Sequence, residues 1–82
     1  MNDTDISRGF DAGNYANAYE TTDFERALGS LSMNRSAEYV AAFTLGFFSS
    51  YERHEMGEHA DHYEIALESV GVRARELGIA VD

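Results

Sequence analysis

The residues able to do chemistry crowd into one stretch, ERHEMGEHADHYE at positions 52–64, which holds all three histidines of an 82-residue chain. Imidazoles and carboxylates together are ligands of divalent transition metals. Glu55 and His59 stand four apart, as do Glu58 and His62, so one unbroken helix would bring all four side chains to a single face. Two features argue against a metal there. Gly57 falls between Glu55 and the other three and favours a break. The order is also neither the Glu-x-x-His of di-iron bundles nor the His-Glu-x-x-His of zinc proteases. The stretch therefore reads as solvated acid and histidine pairs beside a helix junction, with neither metal nor cofactor expected.

Covalent catalysis has less to work with. There is no Cys, and Ser49 and Ser50 stand in a helical pattern, without the strand-to-helix elbow that exposes a nucleophilic serine. Gly9 and Gly13 do not make a phosphate-binding loop, because no strand precedes them and the chain contains no Lys. No enzymatic activity is expected.

A more distinctive pattern is the spacing of the acids. Glu52, Glu55, Glu58, Asp61 and Glu64 recur every three residues, Glu68 follows one turn later, and Arg53 is the one arginine among them. Three helical residues rise about 4.5 Å, a pitch similar in scale to a nucleic-acid backbone. Bent at Gly57, the row becomes an arc of carboxylates around one corner. Such an arc either keeps a small acidic protein soluble or attracts a protein that binds nucleic acid through a basic groove. Tyr51 and Tyr63 flank it as expected anchors, tyrosine being enriched at interface hot spots.

Fifteen acids against six bases give a net charge of −9. Nucleic acid and anionic membranes would be repelled, so the expected partner is a protein with a basic surface. The most apolar stretch, residues 40–48, is far short of the roughly 20 residues needed to span a bilayer. The opening MNDTDISR lacks the apolar segment of a signal peptide, and a soluble cytoplasmic protein is expected. A domain of this size buries only about 60% of its unfolded surface, and with no Cys to form disulfides, self-association is the remaining common source of stability.

These groups must be positioned by helices, since the chain has no proline and no strict polar alternation of the kind that marks a strand. The expectation is a single all-α domain over residues 1–82, a compact bundle of about four helices with the third central. A first helix runs from a cap at Asp3 or Thr4 to about residue 20, carrying Ile6, Phe10 and Gly13 on one stripe with Ala16 and Tyr19 beside it. A second, short helix is signalled by a capping box of Thr22 and Glu25. Residues 29–34 (GSLSMN) form a turn. The third helix starts near Asn34 or Ser36 and runs to about Met56, with Val40, Phe43, Phe47 and Tyr51 on one face. After Gly57 the fourth runs from about Glu58 to Leu77, with Tyr63, Ala66, Val70, Ala74 and Leu77 inward and Gly78 and Ile79 as its stop. Ile65 and Val72 point about 180° away, a second apolar stripe that suits contact with another chain, such as a second copy in a homodimer, although single exposed apolar residues are also ordinary.

Phe10-x-x-Gly13-x-Tyr15 in the first helix is echoed by Phe43-x-x-Gly46-x-Phe48 in the third. Two helices crossing at glycines approach closely, and flanking aromatics close the gap. Coincidence in so short a chain is the alternative.

In size, charge, absence of Cys and lack of an enzyme motif, the chain is similar to the small acidic inhibitors carried by phages and mobile elements, of which anti-CRISPR proteins are the best-known type. That resemblance implies steric blocking or nucleic-acid mimicry against a host defence complex. A helical homo-oligomer with a structural or regulatory role, such as a small assembly protein or antitoxin, is the competing expectation.

Overall fold

The computed structural model describes residues 3–31 and 35–81. Helix α1 (Asp3–Tyr15) widens into a π-helical turn, Ala16–Glu20; α2 is Phe24–Gly29 and α3 is Ala37–Phe47. Two 3₁₀ turns, Arg53–Glu55 and Gly57–His59, lead into α4 (Ala60–Ala66), a π-helical segment Leu67–Gly71 and α5 (Val72–Glu76). Backbone angles stay helical at Ala66, Leu67, Gly71 and Val72, so α4 and α5 belong to one continuous rod. The result is the expected all-α bundle of four helical units around α3. Among the described residues, no helix is long and apolar enough to cross a membrane.

Local chemistry fixes most of the ends. The Ser36 hydroxyl caps α3 by accepting the Tyr39 N–H at 3.1 Å, and donates its own proton to Asp5 at 2.7 Å. Gly57 (φ +57°) and Gly78 (φ +83°) take the left-handed conformation that favours glycine. Beyond Leu77, the Ile79 N–H bonds to the Ala74 carbonyl and the Gly78 N–H to that of Arg75, closing the rod with a Schellman turn.

Three boundaries differ from expectation, and a fourth is only partly described. α1 begins at Asp3 itself, so this side chain lies in the first turn, where it pairs with Arg73 of α5. α2 is capped by Asp23 in place of Thr22, its Oδ1 accepting the Arg26 N–H. Of the turn expected over residues 29–34, positions 32–34 lie outside the described residues. The largest correction is that α3 stops at Phe47 and not at Met56. Phe48 leaves the helical region, Ser49 donates its hydroxyl to Asn14 of α1, and Tyr51 turns back through an N–H bond to the Phe48 carbonyl. Serine competes with helix backbone for hydrogen bonds, and beyond the turn both Phe48 and Met56 are buried.

The core is built on the completely buried Phe43, Phe47, Leu45, Ile6 and Val70. Phe24 of α2 packs edge-on to Phe47, with centroids 5.4 Å apart, and tilted against Phe48 at 4.9 Å. α1 and α3 run parallel, since Asp5 meets Ser36 at one end and Asn14 meets Ser49 towards the other. Between those ends the echoed glycines meet. A Cβ on Gly46 would overlap the Phe10 carbonyl, and one on Gly13 would overlap that of Phe43 and come within 2.6 Å of the Phe47 nitrogen. The contact is reciprocal, each glycine lying on the carbonyl of the partner helix's phenylalanine. Gly9 extends the seam against the Tyr39 carbonyl. The final rod returns antiparallel to α3, as its Arg73 reaches Asp3 at the N-terminal end of α1.

Candidate functional site

Glu52, Glu55, Glu58, Asp61, Glu64 and Glu68 are all exposed, but they do not share one helix. Glu52 lies in extended backbone, Glu55 and Glu58 occupy the two 3₁₀ turns, and Asp61, Glu64 and Glu68 fall at i, i+3 and i+7 along the last rod. Arg53 ties the turns to the rod. Its guanidinium pairs with Glu64 and lies over the Tyr63 ring, 4.3 Å from the centroid, drawing the first turn against the rod. Part of the acid row thus serves the fold: Glu55 accepts the Glu52 N–H at 2.9 Å, and Glu64 holds Arg53.

The two tyrosines do not serve as surface anchors. Tyr63 is buried on the inward stripe of the rod, beneath Arg53. Tyr51 is half-buried, its ring edge-on to Phe48 and its hydroxyl accepting a hydrogen bond from Asn17 at 3.1 Å. Both rings follow from the same physics: an aromatic beside a core phenylalanine gains more by burial than by waiting in solvent. The exposed tyrosines are instead Tyr15 and Tyr19, whose rings meet at 5.1 Å on the outer side of the first helix. Tyr19 was expected beside the core; the π-helical turn after Tyr15 shifts its register.

Ile65 and Val72 do project outward, 63% and 66% exposed. Ile65 borders an apolar groove of about 490 Å³ between α2, α3 and α4, floored by Phe24, Leu28, Val40, Ala41 and Ala66. Among the groove's described lining residues there is no Asp, Glu, Arg or Lys, and His62 is the one titratable side chain.

The break at Gly57 cuts Glu55 off from the other three residues that spacing had set on one face, while Glu58, His59 and His62 stay together and gain Glu25. The His59 ring packs against Phe24 and Phe48, with centroids at 5.2 and 5.8 Å, and its Nδ1 lies 3.3 Å from Nδ1 of His62. Ligand atoms of His59, Glu58 and Glu25 lie within 4.8 Å of one another. Sequence reading missed Glu25 as a site residue, because in the chain it signals only the first turn of α2. His54 is exposed and stands apart from this group. No family model matches the chain, and no curated protein or solved structure is found to be similar to it.

Proposed function

We propose that this chain is a non-enzymatic binding protein that docks its acidic corner, residues 52–68, on the basic, nucleic-acid-facing surface of a protein partner, as a cytoplasmic inhibitor of the anti-CRISPR, phage-borne kind. The observation that carries this reading is the exposure of six carboxylates around one corner whose single arginine is already engaged by Glu64. Charge of one sign mainly speeds encounter and excludes wrong partners, so association slows as salt shortens the screening length towards about 8 Å at physiological ionic strength. With Tyr51 and Tyr63 turned inward, the apolar part of the contact falls to the exposed neighbours of the acids, Ile65 foremost.

The direct test is capture of the partner from host lysate, identification by mass spectrometry, and measurement of association with the isolated partner. Asp61→Arg with Glu68→Arg is the informative variant, since Glu55 and Glu64 support the fold. Association is expected to slow at least tenfold with the melting temperature unchanged. Unchanged association would leave the corner as a solvated surface. The second reading, a helical homo-oligomer, draws support from the exposed Ile65 and Val72 and from the largely apolar groove that Ile65 borders, the kind of surface through which copies of charge −9 could meet. Sedimentation separates the two: a monomer that remains one after Ile65→Glu with Val72→Glu removes the oligomer.

A further inference from the structure

We infer that Glu25, Glu58 and His59 bind a divalent transition-metal ion of the zinc type, with His62 holding the His59 ring from behind. The inference does not require a partner at the acidic corner, although Glu58 belongs to both, and it reverses the expectation drawn from residue order. That expectation considered only ligands close in sequence, whereas α2 supplies Glu25 from far upstream.

The three ligand groups are already neighbours before any ion arrives. Ligands at about 2.0–2.2 Å from zinc stand roughly 3.3–3.6 Å from one another in a tetrahedron. Here the three ligand atoms fall within 4.8 Å, and His59 Nε2 is 4.0 Å from a Glu58 oxygen. Small rotamer changes of the two exposed glutamates close the remaining gap. Among the described residues, neither glutamate is paired with an arginine, so a dication would relieve the repulsion between two neighbouring carboxylates.

The imidazole is the fixed member. Its side chain is only 18% exposed, packed against Phe24 and Phe48, so it loses little freedom on binding. The 3.3 Å approach of the two Nδ1 atoms is satisfied when His59 Nδ1–H donates to His62 Nδ1. That tautomer leaves the lone pair on His59 Nε2, the nitrogen measured against Glu58. A ligating histidine commonly has its second nitrogen hydrogen-bonded in this way, which fixes the ring and the tautomer. Gly57, in the left-handed conformation, makes the turn that returns Glu58 towards α2. One nitrogen and two oxygens suit zinc, manganese or ferrous iron better than a soft cuprous ion, and they leave coordination positions for water. The ion would tie the six-residue α2 to the turn before α4, and by mass action would stabilise the folded chain.

Zinc titration of the chelator-stripped full chain, followed by calorimetry and by melting temperature, tests the site. One ion per chain and a rise in melting temperature are expected. Glu25→Gln, at an exposed position, should lower zinc affinity at least a hundredfold and remove the rise, and His59→Gln should do the same. His62→Leu should weaken binding about 10–100-fold, while His62→Gln, whose carboxamide oxygen can still accept from His59 Nδ1–H, should restore most of it. His54→Ala should change nothing. No saturable zinc binding below about 1 mM, or wild-type affinity in Glu25→Gln, would overturn the inference; equal loss in His62→Leu and His62→Gln would remove His62 from it.

Discussion

Along the α1–α3 seam backbone rests on backbone, whereas around residues 52–68 the contacts are made by the ends of long polar side chains. The seam is specified by what is missing: at Gly9, Gly13 and Gly46 any Cβ would occupy space already taken by the facing helix. The corner is specified by what is present, a carboxylate accepting a backbone N–H, an arginine laid over a ring, a positive-φ glycine. A region of the first kind tolerates no change at a few positions. A region of the second kind loses a little with each change, and most of its surface stays free for other work.

The sharpest way to break this contrast is to add one methyl group to the seam. Gly46→Ala should destabilise by about 3 kcal/mol or more, although alanine is favoured over glycine in a helix by about 1 kcal/mol. The obstructing atoms are backbone, the Phe10 carbonyl carbon lying 2.9 Å from the added Cβ, so no rotamer change relieves the overlap. Gly46→Leu should be worse. The same exchange at Gly29, which ends α2 with nothing within 4 Å of a new Cβ, should be neutral or stabilise by up to about 1 kcal/mol. Chemical denaturation of the three variants decides it; a Gly46→Ala protein as stable as wild type would mean that the helices separate without penalty.

At the corner the expected effect is smaller. Arg53→Ala removes an ion pair whose members are 41% and 57% exposed, worth about 0–1 kcal/mol, and a cation–π contact worth about 0.5–1 kcal/mol at such a site. A loss of about 1 kcal/mol that shrinks in high salt, measured by thermal unfolding, fits the description. A loss as large as that of Gly46→Ala would make the corner part of the core.

What the sequence disclosed follows the same division. Periodicity placed Phe43 and Phe47 at the centre, the start of α3 was legible only as near Asn34 or Ser36, and glycine placed the break at 57 and the stop at 78, because each rule acts within a few residues. The repeated phenylalanine and glycine pattern pointed to the seam, but the parallel course of α1 and α3 has no local signal. Tyr51 continued the helical spacing of Val40, Phe43 and Phe47 beyond the point where α3 ends, since the chain turns there to bury Phe48 and Met56, a tertiary demand. The six acids were legible as a row and not as turns. Glu25 was invisible as a neighbour of His59, for nothing in its spacing relates it to residues 57–62.

The smallest effect belongs at the outer end of the seam, where the first turn of α1 meets α5. Arg73 Nε donates to Asp3 at 2.8 Å, a second guanidinium N–H reaches the same carboxylate, and a third donates to Glu76 at 2.7 Å. The hydrogen bond to Arg73 is the main reason that the Asp3 carboxyl is held below its ordinary value of 3.8; partial burial pushes the other way, and the arginine's charge lowers it further. Arg73 is itself pushed up, chiefly by its hydrogen bond to Asp3, and stays charged throughout the working range. Because the carboxyl is more acidic folded than unfolded, its contribution is complete above the unfolded value and is lost as pH falls through the folded one. Stability measured for wild type and Asp3→Asn should therefore differ by a constant, salt-sensitive amount above about pH 5, and the two curves should converge only as pH falls through the lowered folded value. The deficit of Gly46→Ala, which involves no titrating group, should keep its size across the same interval. A gap between wild type and Asp3→Asn that persists in strong acid would show that the asparagine disturbs the packing of α1, and the end of the seam would then belong with its glycine interior.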